Sequence, residues 1–286
     1  MNRRAFTLVE MLVALILFGV LSMSLHRLMV TNQRAYVQQS QRLALNASIR
    51  AGISILPGEV RELNAGDAAG SDIIRMTDSS LVSKAMRGLY VLCEDAPSSG
   101  QLTAYQGLEL GLRPVDKDLD SILVFADFDP KTRADDVWLH GDVTNVNRGG
   151  ANCPDGSPAI RIRTSGMAAA ALAGVTRGAP VRTFEVVEVG LYQDAEGHWL
   201  GGQRYNKSAS VWTGMEPLLG PLAGGGLRLT YYDAAGAATG DLTRVARIGV
   251  TVTGQTRGQV MRTGGRVTYG LDSLVTHVAL RNNPRF

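Results

Sequence analysis

Apolar residues run almost unbroken over residues 5–25, and a longer amphipathic pattern follows them. Only Thr7, Glu10 and two serines interrupt the run. About 20 apolar residues are enough to cross a bilayer as a helix. A pair of arginines directly before the run favours a cytoplasmic N-terminus, with the rest of the chain exported. The pattern therefore predicts a membrane-spanning helix that ends near residue 25.

The helical pattern continues beyond the apolar run. Proline and glycine are absent from residues 26–51, and good helix formers dominate there. Apolar residues then recur at steps of four, four and three, at Leu45, Ile49, Ile53 and Leu56. Such spacing makes one apolar stripe, which we expect to pack against the remaining chain. Pro57 and Gly58 are expected to end the helix, so the prediction is one long helix over residues 6–56.

From residue 57 onward, apolar and polar residues alternate with a period of two. This alternation is clearest in three stretches, residues 227–232, 246–253 and 274–280. It is typical of strands with one buried face. Short Asp–Gly turns at 192–197 and 231–236 indicate antiparallel hairpins. The sequence thus predicts an α+β fold, in which the long helix packs on a mainly antiparallel β-rich head over residues 57–286.

Glycine-rich stretches within the head are interpreted as surface loops. They cover residues 65–72, 145–158 and 253–266. The chain has 33 glycines among its 286 residues, in keeping with many turns.

Composition and motifs give no sign of an enzyme. The formal charge is only +3 and aromatic residues make up 6% of the chain, so we expect no nucleic-acid partner. The four histidines are far apart and lack ligand spacing. Catalytic residues, cofactors and bound metals are therefore not expected.

Two acidic clusters could be mistaken for metal sites. Asp116, Asp118 and Asp120 resemble the start of a calcium loop, but Ser121 stands where such a loop needs glycine. A polar turn before a strand is the preferred interpretation. The second cluster is predicted to be a solvated loop, and it comprises Asp127, Asp129, Asp135 and Asp136.

Glu10 is the feature that an ordinary membrane segment does not explain. A carboxylate at the centre of a membrane helix costs about 3 kcal/mol or more. A secretory signal peptide would need a small-residue cleavage site after the apolar run, and Ser22-Met23-Ser24 is a poor match. A plain signal anchor accounts for the apolar run but not for Glu10. We therefore infer a functional role for this carboxylate.

The string Arg4-Ala5-Phe6-Thr7-Leu8-Val9-Glu10 resembles the prepilin motif of type IV pilins and type II secretion pseudopilins. The resemblance implies a 1–5 leader, cleavage between Ala5 and Phe6 by a prepilin peptidase, and N-methylation of Phe6. Glu10 then becomes the fifth mature residue and pairs with the amine of a neighbouring subunit, which sets the axial register. The residue before the cut is usually glycine, and Ala5 replaces it here.

Stretches of the second half resemble the large minor pilins of the PilW type and the minor pseudopilins of the GspJ type, among them residues 216–219 and 226–231. The implied function is a minor pilin that initiates or caps a type IV pilus-like filament. Its expected partners are other pilins or pseudopilins, the peptidase/methyltransferase and the assembly platform in the inner membrane. The head would face the periplasm before incorporation.

Two alternatives to the minor pilin remain open at this point. The chain could be a minor pseudopilin of a type II secretion system. It could also be a membrane-anchored adhesin or DNA-uptake receptor, which would need a groove lined by aromatic or basic residues. The sequence itself displays no dense cluster of either kind in the head.

Cys93 and Cys153 are the only cysteines. Export to an oxidising compartment would favour a disulfide between them, and two unpaired thiols are the alternative.

Overall fold

The computed structural model describes residues 8–66, 70–111, 113–261 and 266–281. One helix, α1 (Leu8–Arg61), precedes a head built from a 13-stranded sheet and two short 3-10 helices. The α+β architecture predicted from the sequence is confirmed. The strands are β1 (Ile73–Met76), β2 (Ser80–Val91), β3 (Gln101–Tyr105), β4 (Leu110–Gly111), β5 (Asp120–Ala126), β6 (Val137–Asn152), β7 (Pro158–Ser165), β8 (Pro180–Asp194), β9 (Gly197–Asn206), β10 (Val211–Trp212), β11 (Glu216–Tyr232), β12 (Arg247–Met261) and β13 (Val267–Ala279).

The helix ends later than the sequence pattern predicts. It continues through Pro57 and stops at Arg61, so the boundary expected at Leu56 is wrong. A proline inside a helix removes one backbone hydrogen bond and crowds the preceding turn. Here Leu56 and Val60 are both buried in the core, one on each side of the proline. Their packing against the sheet compensates for the defect and keeps the last turn helical.

All strand pairs in the sheet are antiparallel, and the main order is β13-β12-β11-β9-β8-β5-β6-β7-β3. β2 also pairs with β8 along its whole length. Leu92, directly after β2, forms a bridge with Ala104 in β3. Six strands, β2, β8, β5, β6, β7 and β3, therefore close on themselves, and we call this closed set the ring.

The two larger apolar cores in the described part of the head share β8. One lies between α1 and the sheet, where residues such as Ile49 and Leu56 pack with Ile248, Val250 and Val252. The other fills the ring and includes Ile122, Val124, Ile160, Ile162 and Val181. The first half of β8 pairs with β5 and the second half with β9. The same strand thus passes from the ring into the helix-covered sheet.

The predicted turns and loops have mixed outcomes. The hairpin at residues 192–197 is confirmed, because Asp194 pairs with Gly197 where β8 turns into β9. At the second site, Asp233 begins a turn closed by Gly236, but β12 starts only at Arg247. The loop expected at 145–158 is largely wrong, and so is the one expected at 253–266 in its described part; residues 262–265 lie outside the described residues. β6 extends to Asn152 and β12 to Met261, because β7 and β13 satisfy their backbone hydrogen bonds.

Candidate assembly site on the N-terminal helix

The N-terminal part of α1 projects from the head with no cover. Every side chain from Leu8 to Met29 is exposed, and the large apolar ones expose from 49% at Val13 to 81% at Leu8. By length and composition, α1 is the one helix in the described residues that could cross a membrane. A soluble protein would bury such a segment, so this surface needs lipid or other helices around it.

Glu10 is the only ionisable residue between Leu8 and Leu25. It lies in the first turn of α1 as described, where the positive end of the helix dipole favours a carboxylate. Ala5 and Phe6, the predicted cleavage and methylation residues, lie outside the described residues. Their roles stay predictions from the sequence motif.

Two hydroxyl groups in or just after this part of the helix bond to the helix backbone. The Ser24 hydroxyl donates to the Val20 carbonyl at 2.9 Å, and the Thr31 hydroxyl donates to the Arg27 carbonyl at 2.9 Å. Such bonds to the preceding turn let serine and threonine enter a membrane without an unpaired hydroxyl. Glu10 demands an explanation of another kind, because it is the residue between Leu8 and Leu25 that can carry a full charge.

Residues 1–25 match the family model of the prokaryotic N-terminal methylation motif. The chain carries a prepilin-type signal. This signal is that of a type IV pilin-like precursor, and it implies processing by a prepilin peptidase and assembly with pilin-type subunits. The exposed apolar helix is the membrane anchor that such a precursor needs. No curated protein and no solved structure matched the chain.

The C-terminal part of α1 fixes the helix to the head. Leu45, Ile49 and Leu56 are buried and Ile53 packs at the margin, so the predicted apolar stripe is confirmed. Gly52 faces Leu219 of β11 so closely that a Cβ atom there would collide with the leucine side chain. The missing side chain lets the helix lie close on the sheet, which sets the direction in which the N-terminal part projects.

A chain of ion pairs joins the end of α1 to the ring. Arg87 bonds Glu59 of α1 at 3.3 Å and Glu185 of β8 at 2.6 Å. Arg113 then bonds Glu185 at 2.8 Å and Asp120 of β5 at 2.6 Å. Burial disfavours the guanidinium, but hydrogen bonds to Asp120 and Glu185 outweigh it and raise the pKa of Arg113. Because both carboxylates are buried, losing either arginine would leave an uncompensated charge.

These contacts also account for the first acidic cluster. The main-chain N–H of Asp116 donates to Asp120 at 2.7 Å, and Asp118 pairs with Lys117 at 2.8 Å. The three aspartates lie in a polar turn and at the start of β5, and Asp120 already bonds Arg113. The arrangement is that of a turn before a strand, as the sequence predicts, and not of a calcium loop.

Three residues of the second acidic cluster come together in the structure. Carboxylate oxygens of Asp127, Asp135 and Asp136 all lie within 4.8 Å of one another, and the three residues are half-buried. Asp129 is exposed. Burial, followed by the charges of Asp136 and Asp135, raises the pKa of Asp127. The cluster is therefore less solvated than predicted, although such groups are common on proteins without a bound ion.

The structure joins Cys93 and Cys153 in a disulfide. Their Cα atoms lie 5.7 Å apart, and both residues are buried. The bond fastens the segment after β2 to the segment after β6, beside the bridge between Leu92 and Ala104 that closes the ring.

Sequence reasoning missed the pocket that lies near the turn between β8 and β9. It has a volume of about 240 Å³, and its lining includes Trp199 and Tyr269. These residues are far apart in the chain and belong to β9 and β13. No local motif could have revealed the pocket, since only the order of strands in the sheet brings the two rings to one site.

Proposed function

We propose that this chain is a minor pilin that initiates or caps a type IV pilus-like filament after cleavage between Ala5 and Phe6. One observation carries the proposal: an uncovered apolar helix bearing a single carboxylate, Glu10, emerges from the region that matches the methylation motif. We further propose that the chain is not an enzyme.

The proposed assembly step replaces lipid around α1 with the helices of other subunits. In lipid, the new amine at Phe6 and the carboxylate at Glu10 are both costly. Pairing Glu10 with the amine of a neighbouring subunit removes much of that cost, whereas a lone buried charge remains penalised. The pairing therefore favours one axial offset between neighbours. The exposed apolar side chains supply the packing, and Glu10 supplies the register.

The size of the head supports a role at or near the filament tip. The ring adds a second core and a disulfide to the helix-covered sheet. A bulky head of this kind is easier to accommodate at a filament end than in every repeat. The resemblance of the second half to PilW-type minor pilins points the same way. High copy number along the whole filament would contradict this part of the proposal.

Two other functions share some of these observations. The same motif occurs in minor pseudopilins of type II secretion, and the resemblance to the GspJ type supports that function. A membrane-anchored adhesin or DNA-uptake receptor is favoured by one observation, the aromatic-lined pocket of Trp199 and Tyr269. In either case the N-terminal segment would be processed in the same way.

Deletion of the gene, scored in parallel for surface pili, twitching and protein release, tests the proposal. Lost pili with normal secretion, restored by the wild-type gene but not by Glu10→Ala, would support the minor pilin. Retained pili with exported proteins trapped in the periplasm would establish the pseudopilin. Normal pili and normal secretion would contradict both and favour the anchored receptor.

A further inference from the structure

The pocket of about 240 Å³ near the turn between β8 and β9 combines aromatic and polar side chains. The residues that line it include Glu196, His198, Trp199, Gln255, Arg257 and Tyr269. Leu200 belongs to the core beneath α1, so its neighbour Trp199 points to the opposite face of the sheet. Tyr269 lies on the same strand as Val278, another core residue, at an odd number of residues before it. Because side chains alternate between the two faces of a strand, Tyr269 also points to the face opposite α1. Both rings therefore face away from the anchoring helix.

Trp199 is held in one orientation before any ligand arrives. Its indole N–H donates to the Asp194 carboxylate at 2.9 Å. The same carboxylate oxygen accepts the main-chain N–H groups of Glu196 and Gly197, at 2.8 and 3.0 Å. On the neighbouring strand, Gly220 leaves room for the ring, because a Cβ atom there would collide with it. A fixed, half-buried aromatic ring at a pocket wall loses little entropy when a ligand stacks on it.

The polar lining suits a neutral ligand with many hydroxyl groups. Glu196 and Arg257 contribute opposite charges, and both are exposed at the rim. Gln255 adds an amide, so the pocket offers both donors and acceptors. A strongly charged ligand would meet one favourable and one unfavourable charge. A purely apolar ligand would leave these polar groups without partners.

A sugar ring meets both requirements. It presents C–H groups on one face, which stack on an aromatic ring, and hydroxyl groups around its edge, which bond to amides and charged side chains. The volume is below the range of about 300–1,000 Å³ that is typical of drug-sized ligands, and it suits a single ring. We propose that this pocket binds one sugar unit of a glycan, stacked on Trp199 and bordered by Tyr269.

Titration with simple sugars tests the proposal directly. The full chain is kept in a sugar-free detergent and titrated with methyl glycosides of glucose, galactose, mannose and N-acetylglucosamine. Saturation-transfer NMR reports which protons touch the protein. We expect at least one glycoside to bind in the millimolar range, through protons of one ring face.

Variants separate stacking from a general loss of structure. Trp199→Ala is expected to weaken binding by about tenfold, while Trp199→Phe keeps a ring and stays within about threefold. Trp212→Ala removes an exposed tryptophan outside the pocket and should not change binding. Tyr269→Ala, on the exposed edge strand, provides a second test if Trp199→Ala unfolds the head. Absence of binding for all four sugars at about 50 mM would overturn the proposal. Equal glycoside affinities of the wild type, Trp199→Ala and Tyr269→Ala would also overturn the proposal.

Discussion

The two halves of α1 differ in what surrounds them, although they form one continuous helix. The N-terminal half contains the most apolar stretch of the helix, and none of that stretch is buried. The five buried residues of α1 all lie in its last third, between Leu45 and Val60. Apolar character alone therefore does not decide which part of the helix joins the core.

We infer from this difference that the two halves of α1 have separate roles. The C-terminal half is spaced to match the sheet and contributes to folding of the head. The N-terminal half has no matching surface in the described part of the chain, and its partners are lipid and other subunits. Substitutions in one half should therefore leave the property governed by the other half unchanged.

Glu10→Ala should give the largest effect and should act on assembly alone. Losing one partner of a buried charge pair costs about 3–5 kcal/mol, so we expect incorporation into filaments to fall by about two to four orders of magnitude. Immunoblots of sheared filaments measure the loss, and the melting temperature of the head should not change. Ser24→Ala, whose hydroxyl bonds only its own helix, is the matched control. Wild-type incorporation of Glu10→Ala would refute the proposed register.

Removing the disulfide should destabilise the head without involving either half of α1. The bond joins residues 60 positions apart, and the loop-entropy relation gives about 4 kcal/mol for such a loop. The double variant Cys93→Ser, Cys153→Ser should therefore unfold at lower urea concentration. Reductant should shift the wild type in the same direction and leave the double variant unaffected. Equal urea midpoints for the wild type and the double variant would contradict this prediction.

Ile49→Ala should destabilise the head, whereas Leu17→Ala should not. Ile49 is 1% exposed in the core beneath α1, and such a truncation costs about 2–5 kcal/mol. Leu17 is 59% exposed, so its removal should change the free energy of unfolding by less than about 0.5 kcal/mol. Urea titrations of both full-length variants in detergent provide the comparison. Similar losses from both would show that the free N-terminal half is not independent of the head.

Two glycine variants test the same difference between the two halves of α1. Gly52→Ala would push a Cβ atom into Leu219, whereas Gly19→Ala meets nothing within 4 Å. We expect Gly52→Ala to reduce the free energy of unfolding by about 1–3 kcal/mol. Gly19→Ala should leave it unchanged or slightly increased, since alanine favours the helix. A Gly52→Ala head as stable as the wild type would mean that α1 can move away from the sheet.

The smallest expected effect concerns the acidic cluster of the head, which is not part of either half of α1. Because the folded state raises the pKa of Asp127, its ionised form disfavours folding at neutral pH. Asp127→Asn should therefore raise the melting temperature slightly at pH 7. The gain should shrink as the pH falls through the raised pKa, and vanish below about 3.9, where the carboxyl is protonated in both states. Glu216→Gln, an exposed carboxylate outside the cluster, is the control. A gain that persists at low pH would contradict the electrostatic cause.

Local patterns in the sequence predicted the parts of the molecule that depend on local physics. The apolar run, Glu10 and the stripe from Leu45 to Leu56 are all readable from spacing, because helix periodicity and membrane thickness set them. The hairpin at Asp194 is readable because its turn needs specific residues. These features together predicted the α+β class and the candidate assembly site.

The remaining features depend on partners distant in sequence. Pro57 predicts a helix end, but burial of Val60 overrides it, and that burial requires the whole sheet. Glycines predict a loop at 145–158, yet β7 pairs with much of this stretch. The pocket at Trp199 and Tyr269 likewise exists only once β9, β11, β12 and β13 are in order. The periodicity of the sequence does not indicate which distant strands pair with each other.

The strand shared by both cores also determines how the head is oriented. β8 is continuous from Pro180 to Asp194 and belongs first to the ring and then to the helix-covered sheet. The chain of ion pairs from Glu59 to Asp120 crosses the same boundary. No linker separates the two parts there, so they cannot hinge about each other. The angle at which the head presents its outer surface is consequently fixed relative to the axis of α1, wherever that axis is anchored.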